Sequence, residues 1–118
     1  MLNIDKVNIV YLACGSTDLR KSIDGLAMIV QNQLNLNPFD KVLFVFCNKQ
    51  MNKLKILHFD EGFWLYYYRL ENGKFKWPMS KEEALKIDKE ELKWLLKGYE
   101  MRTVSKFKSI TKKNYFSN

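Results

Sequence analysis

The chain has little of what enzymes and membrane proteins require. Its 118 residues include one histidine, His58, so no pair of histidines is available as a general base or as metal ligands. It contains neither a glycine-rich phosphate loop nor a nucleophile elbow. It also lacks an apolar run near the roughly 20 residues that span a bilayer, and a signal-peptide pattern at its start. We therefore expect a cytoplasmic protein that is not an enzyme, holds no cofactor or metal, and does not bind membranes.

Acidic residues are too scattered to predict a metal site. The candidates for a metal-binding cluster are Asp18, Asp24, Asp60 and Glu61. Asp18 can cap a helix, and Asp24 is spaced to pair with Arg20 across one helical turn. The other two residues belong to a predicted turn. Each carboxylate thus has an ordinary structural role, and this supports the prediction of a protein without catalysis.

Cysteine is also scarce. The chain has two cysteines, Cys14 and Cys47, which lie on or beside predicted strands and show neither CxxC nor Cys/His spacing. In a cytosolic chain, such cysteines are more often buried thiols than a bridge. The sequence predicts two free thiols.

Acidic residues are absent from the end of the chain. The net charge is +7, but 15 basic and 13 acidic residues remain once the five basic residues from Arg102 onward are removed. We expect a single domain over residues 1–101 and a basic, flexible tail over 102–118. Such a tail is either a solvated end or an arm that becomes ordered on a polyanion.

Residues 42–77 form the stretch around which the fold is predicted. Turn signals at 48–52, 60–62 and 71–73 divide this stretch into four short runs rich in aromatic and β-branched residues. The last turn contains Asn-Gly, which supplies the positive φ angles of a tight hairpin. The sequence predicts an α+β domain whose central sheet is a four-stranded antiparallel meander, with Phe75 buried in the last strand and the lysine-bearing faces exposed.

An N-terminal strand and helix precede the meander. Residues 8–13 are an apolar, β-branched run that should join the sheet. Apolar residues at helical spacing predict a helix over 18–34, with Thr17 or Asp18 as its N-cap. Gly25 lies inside this helix, where it should allow a close approach to the sheet.

A second helix should follow the meander. Residues 80–83 are expected to form only a short turn or helix. Asp88 and Glu91 have the spacing of a capping box, so we predict a helix over 89–97 with Gly98 at its end. Both helices should pack against the sheet.

Basic residues are the best candidates for a binding site. In the predicted helix, Arg20 and Lys21 occupy the first turn, where the macrodipole disfavours positive charge. They either bind phosphate at the helix start or pair with Asp18 or Asp24. On the strands, residues alternate between the two faces, and basic residues next to aromatic ones suit either nucleic-acid contact or a solvated outer face. The candidate nucleic-acid contacts are Arg20, Lys21, Lys49, Lys53, Lys55, Arg69, Lys74 and Lys76.

The stretch from residue 15 to residue 26, GSTDLRKSIDGL, resembles the G-x-T-D-[LM]-R-K-x-[FI]-[DN]-G-L signature of a known family. This is the family of TnpB-type accessory proteins, encoded by the second open reading frame of the IS-sixty-six family of bacterial insertion sequences. The segments LFVFCNK, KLKIL and GFWLYYYRLENGKFKWP resemble the later blocks of the same family, in order and at its spacing. The residues that carry the signature include Gly15, Thr17, Asp18, Asp24 and Gly25.

The resemblance implies a protein that assists DNA transposition and has no established catalytic residues. Two modes of action remain open. In the first, the domain binds DNA, at transposon ends or strand intermediates, through the helix start, the β-ribbon and the tail. In the second, it docks onto the transposase of the same element through its aromatic sheet face without contacting DNA. We expect DNA and that transposase as partners.

Overall fold

In a computed structural model, which describes residues 6–98, five strands form a single sheet with the order β4-β3-β2-β1-β5. The strands are β1 (Val10–Ala13), β2 (Leu43–Cys47), β3 (Lys53–Phe59), β4 (Phe63–Arg69) and β5 (Ala84–Ile87). The helices are α1 (Ile23–Asn32) and α2 (Lys89–Leu96). The predicted basic tail lies outside the described residues. Within 6–98, neither helix is long and apolar enough to cross a membrane.

The sheet is mixed, which corrects the prediction of an antiparallel sheet. β1 and β2 are parallel, with Val10 opposite Leu43, whereas β2–β3, β3–β4 and β1–β5 are antiparallel. Parallel neighbours cannot be joined by a hairpin and need a long crossover. Here the crossover carries the signature stretch and α1. The α+β class is confirmed, and the antiparallel arrangement holds only for the other three pairs of strands.

The core lies on both faces of the sheet. β2 is buried along its whole length, as expected for the continuous apolar run LFVFC. Phe44 and Phe46 point to the face covered by α1, which we call the α1 face. Val45 and Cys47 point to the opposite face, which is covered by Leu92 and Leu95 of α2 and is called the α2 face.

The predicted fourth strand of the meander does not form. Gly73 does have a positive φ of 79°, but the residues after it cross the α2 face instead of pairing with β4. Phe75 is 1% exposed, which confirms that it is buried. The indole N–H of Trp77 donates to the Ala13 carbonyl at 2.9 Å. Packing of these two aromatic side chains into the core therefore replaces the hairpin, and β4 becomes the edge of the sheet.

β5 forms the other edge and was not predicted. It pairs antiparallel with β1, placing Ala84 opposite Ala13 and Ile87 opposite Val10. Residues 80–83 contain no helix and lead directly into this strand. The four residues of β5 lie beside charged residues, and their alternation of apolar and polar side chains is too short to predict a strand. The strand becomes evident only from its pairing with β1.

The first helix is shorter than predicted, and its N-cap is different. α1 begins at Ile23 after Ser22, so neither Thr17 nor Asp18 caps it, and Arg20 lies outside its first turn. The helix-dipole argument about Arg20 and Lys21 therefore fails. The second helix agrees with the prediction, because the Asp88 carboxylate accepts from the Glu91 N–H and the reciprocal bond is present.

Candidate functional site

The fold brings all eight of the predicted basic residues to one end of the sheet. β1 and β2 are parallel, so both finish at this end, where β3 begins and β4 finishes. We call it the basic end. It carries Arg20, Lys21, Lys49, Lys53, Lys55, Arg69, Lys74 and Lys76.

The signature loop is fastened to the basic end by its backbone. The Thr17 N–H donates to the Cys47 carbonyl at 2.7 Å, immediately where β2 finishes. The Gly15 N–H donates to the Pro78 carbonyl at 3.0 Å. Gly15 has a φ of 78°, a conformation that favours glycine. The first glycine and the threonine of the signature thus position the loop that carries Arg20 and Lys21.

Arg20 pairs with Asp18, not with Asp24. Its Nη2 lies 2.7 Å from Oδ2, and its Nε lies 3.0 Å from Oδ1 of the same carboxylate. These hydrogen bonds from Arg20 hold the pKa of Asp18 well below its usual range and raise the pKa of Arg20. The arginine side chain is 91% exposed, so the pair orients the guanidinium but adds little stability.

Lys21 is held between the start of α1 and β3. A Cβ placed on Gly25 would lie 3.1 Å from the Lys21 Cβ, so the missing side chain of the glycine leaves room for the lysine stem. This corrects the prediction that Gly25 allows an approach to the sheet. The Nζ of Lys55 donates to the Lys21 carbonyl at 3.0 Å. The signature loop and β3 are therefore joined at this end.

A row of basic and aromatic side chains follows on the β3–β4 hairpin. Lys53 lies opposite Arg69, and Lys55 lies opposite Tyr67, all on the α1 face but beyond the helix. Tyr67 is 56% exposed, whereas the two lysines are partly buried, which corrects the prediction that the lysine-bearing face is exposed. Arg69 Nε contacts Glu71 at 2.9 Å, and this hydrogen bond raises the arginine pKa. Tyrosine and lysine thus stand side by side on one surface.

The other lysines of the basic end lie around its rim. Lys74 and Lys76 are exposed, because the aromatic residues between and after them are buried on the α2 face. The Phe75 N–H donates to the Met51 carbonyl at 2.7 Å, which brings these lysines beside the turn that carries Lys49. The predicted basic residues therefore share one end of the sheet but not one face.

Asn48 organises that turn, a role that the sequence reasoning did not assign to it. Its Oδ1 accepts from the N–H groups of Asn52 and Lys53, both at 3.0 Å. Its Nδ2 donates to the Asn52 side chain at 2.7 Å. An asparagine at the first turn position is the local signal that could have identified it.

The opposite end of strands β2, β3 and β4 is acidic. Asp40, Asp60 and Glu61 lie there, and Lys41 approaches Asp60 at 3.9 Å. At the basic end, the two arginines each pair with a carboxylate. None of the six lysines there pairs with a carboxylate of residues 6–98: Lys21, Lys49, Lys53, Lys55, Lys74 and Lys76.

Comparison with known proteins agrees with the signature. The model of the IS66 Orf2 like protein family matches residues 8–106. The chain belongs to the IS66 Orf2-like family. This confirms the resemblance seen in the sequence and makes the chain a transposition-associated accessory protein.

Two curated relatives of this IS66 Orf2-like protein come from Sinorhizobium fredii, and both are named as uncharacterised proteins. The first, y4hO, is 39% identical over 94 residues, covering 79% of this chain and 82% of its own. The second, y4jC, is 31% identical over 98 residues, covering 82% of this chain and 84% of its own. No solved structure matches the chain.

A cavity beside the signature loop of the IS66 Orf2-like chain is poorly suited to an anion. It has a volume of about 390 Å³ and lies between the loop and the last turn of α1. Its walls include the amides of Asn32, Gln33 and Asn35 and the carboxylate of Glu83, but no basic side chain. Among residues 6–98, no three His, Cys, Asp or Glu side chains are grouped to hold a metal ion. The basic end is therefore the stronger candidate site.

Proposed function

We propose that this accessory protein binds DNA through its basic end and does not itself catalyse the transposition chemistry. The observation that carries the proposal is the gathering of six lysines, unpaired with carboxylates of the described chain, at one end of the β2–β3–β4 ladder, whose other end carries Asp40, Asp60 and Glu61. Such an arrangement attracts polyanions, and the phosphate backbone of DNA is the polyanion that a transposition-associated protein encounters.

The geometry also supports contact with unpaired bases. Tyr67 is exposed beside Lys55, on a surface that α1 leaves uncovered. An aromatic ring next to a cation can stack on a base while the cation contacts the adjoining phosphate. The partial burial of Lys53 and Lys55 limits how far their stems can move, so less flexibility is lost on binding. Strand intermediates are therefore suitable ligands, in addition to duplex transposon ends.

The test measures the salt dependence of DNA affinity. A Lys53→Gln, Lys55→Gln variant should bind transposon-end DNA more weakly and flatten the slope of log affinity against log salt by about 1.4 to 1.8 units, for single and double strands respectively. The matched control is Lys41→Gln, Lys86→Gln, which removes the same charge away from the basic end. Equal losses in both variants would indicate unspecific attraction and contradict the proposal.

A second candidate function is docking onto the transposase. It is favoured by Trp64 and Tyr68, which are 50% and 43% exposed on the α2 face. Aromatic residues of this kind are enriched at protein interfaces. Trp64→Ala, Tyr68→Ala should then weaken transposase binding with little dependence on salt, and leave DNA affinity unchanged. Loss of transposase binding only in the lysine variant would count against this docking surface.

A further inference from the structure

The two edges of the sheet are protected to very different degrees. β5 is four residues long and carries Lys86 in its interior, two features that discourage pairing with another strand. β4 is seven residues long, reads FWLYYYR, and has no proline and no charge before Arg69. In the part of the chain that the structure describes, no segment pairs with its outer side. An edge of this kind is a template for another strand.

The register shows which backbone groups of β4 face outward. At the two ends of the β3–β4 hairpin, the Leu70 N–H donates to the Asn52 carbonyl and the Asp60 N–H donates to the Gly62 carbonyl, both at 2.8 Å. Bonded and non-bonded pairs alternate along an antiparallel ladder. The even-numbered residues of β4 therefore bond to β3. The residues whose N–H and C=O groups face the open edge are Phe63, Leu65, Tyr67 and Arg69.

We propose that β4 pairs antiparallel with β4 of a second copy of this chain, about a two-fold axis at Tyr66. The edge residues are symmetric about that position, so Phe63 would face Arg69 of the second copy, and Leu65 would face Tyr67. All four outward residues are then bonded, giving about eight backbone hydrogen bonds. No other register about a two-fold axis uses all four.

Charge and side-chain chemistry favour a second copy as the occupant. The single charge of the strand, Arg69, would meet the Phe63 ring of its partner and not a second arginine. On the α2 face, Trp64 would lie opposite Tyr68, and the two Tyr66 rings would be neighbours. Aromatic cross-strand pairs of this kind stabilise a sheet. The strand is thus complementary to itself, and this inference does not rest on the DNA-binding proposal.

The first experiment is sedimentation of the full chain from about 1 to 100 μM, a range that covers ordinary weak dimers. We expect a concentration-dependent dimer. Tyr67→Pro removes an outward N–H that β3 does not use, so it should raise the dimer dissociation constant at least about tenfold without unfolding the protomer. Tyr67→Thr keeps the N–H and serves as the control. A chain that stays monomeric throughout would overturn the proposal, and so would equal weakening by both variants.

The second experiment tests the register and does not require the proline variant to fold. In a Cys14→Ser background, Tyr66→Cys should form an intermolecular disulfide on mild oxidation, because residues on the axis have Cα atoms about 4.5 Å apart. Tyr68→Cys is the control. It is at a more exposed position, but its two copies would be roughly 14 Å apart along the strands, too far for a bond. Cross-linking through residue 68 and not through residue 66 would contradict this pairing.

Discussion

The two ends of the β2–β3–β4 ladder are built in opposite ways. At the basic end, Phe75 and Trp77 are buried, and Lys74 and Lys76, which precede them in the chain, are exposed. The acidic end is covered by Phe39, which is 57% exposed and packs edge-on against Phe59 at a ring distance of 5.1 Å. Two buried aromatic side chains therefore anchor the segment that carries Lys74 and Lys76, while the acidic end is closed by a half-exposed aromatic contact. A binding surface gains from such support because its charges are held before the ligand arrives.

The largest expected effect comes from removing that support. Phe75→Ala should lower the free energy of unfolding by about 3 to 5 kcal/mol, because a fully buried ring leaves a cavity. Phe39→Ala at the acidic end should cost less than about 1 kcal/mol, since more than half of its surface is already in water. Urea unfolding of both variants makes the comparison. Equal losses in the free energy of unfolding would contradict the difference in aromatic packing between the two ends.

The basic tail tests whether the basic end acts alone. Replacing the five basic residues from Arg102 onward by glutamine in the full chain should flatten the salt slope of DNA binding by up to about 4.5 units. The physical reason is that each neutralised phosphate releases counterions. Fluorescence anisotropy over a range of salt concentrations measures this slope. An unchanged slope would restrict DNA contact to the folded end.

Arg20 and Lys21 should matter for binding and not for folding. Arg20→Ala, Lys21→Ala should change stability by no more than about 0.5 kcal/mol, as at ordinary surface positions. The same variant should flatten the salt slope by up to about two units. Thermal unfolding and DNA titration separate these outcomes. If the variant unfolds instead, the Asp18–Arg20 pair is structural and the phosphate contact is wrong.

The smallest effect concerns the thiols where β1 and β2 finish. Both cysteines are free, with Cys14 partly exposed and Cys47 buried. Burial raises the pKa of the Cys47 thiol to about 12, so it stays protonated and unreactive at pH 8. A thiol reagent should therefore modify Cys14 first and Cys47 only after denaturation. Equal rates in the native protein would contradict this burial, and absence of any free thiol would overturn the prediction of reduced cysteines.

Local patterns were sufficient for much of the fold. The apolar run of β2, the turns at 48–52 and 60–62, and the capping box of α2 each depend on neighbours in the chain, and each was predicted. Side chains alternate between the two faces along a strand. The sequence of β4 therefore already implied that Tyr67 shares a face with Arg69 and not with Tyr66 and Tyr68. The family could likewise be recognised from the sequence, because its signature consists only of residue order and spacing.

Only the tertiary structure decided which segments pair and where the charges gather. Asn72 and Gly73 favour a hairpin, but burial of Phe75 and Trp77 outweighs the backbone bonds of a fourth strand. The stretch before Ile23, which was predicted to be helical, is instead a loop whose Thr17 N–H bonds to the Cys47 carbonyl of β2, a contact between residues 30 positions apart. The sequence by itself determined the family, the basic residues and most elements. The parallel β1–β2 pair, which brings the signature loop to the lysines, required long-range contacts that no local pattern encodes.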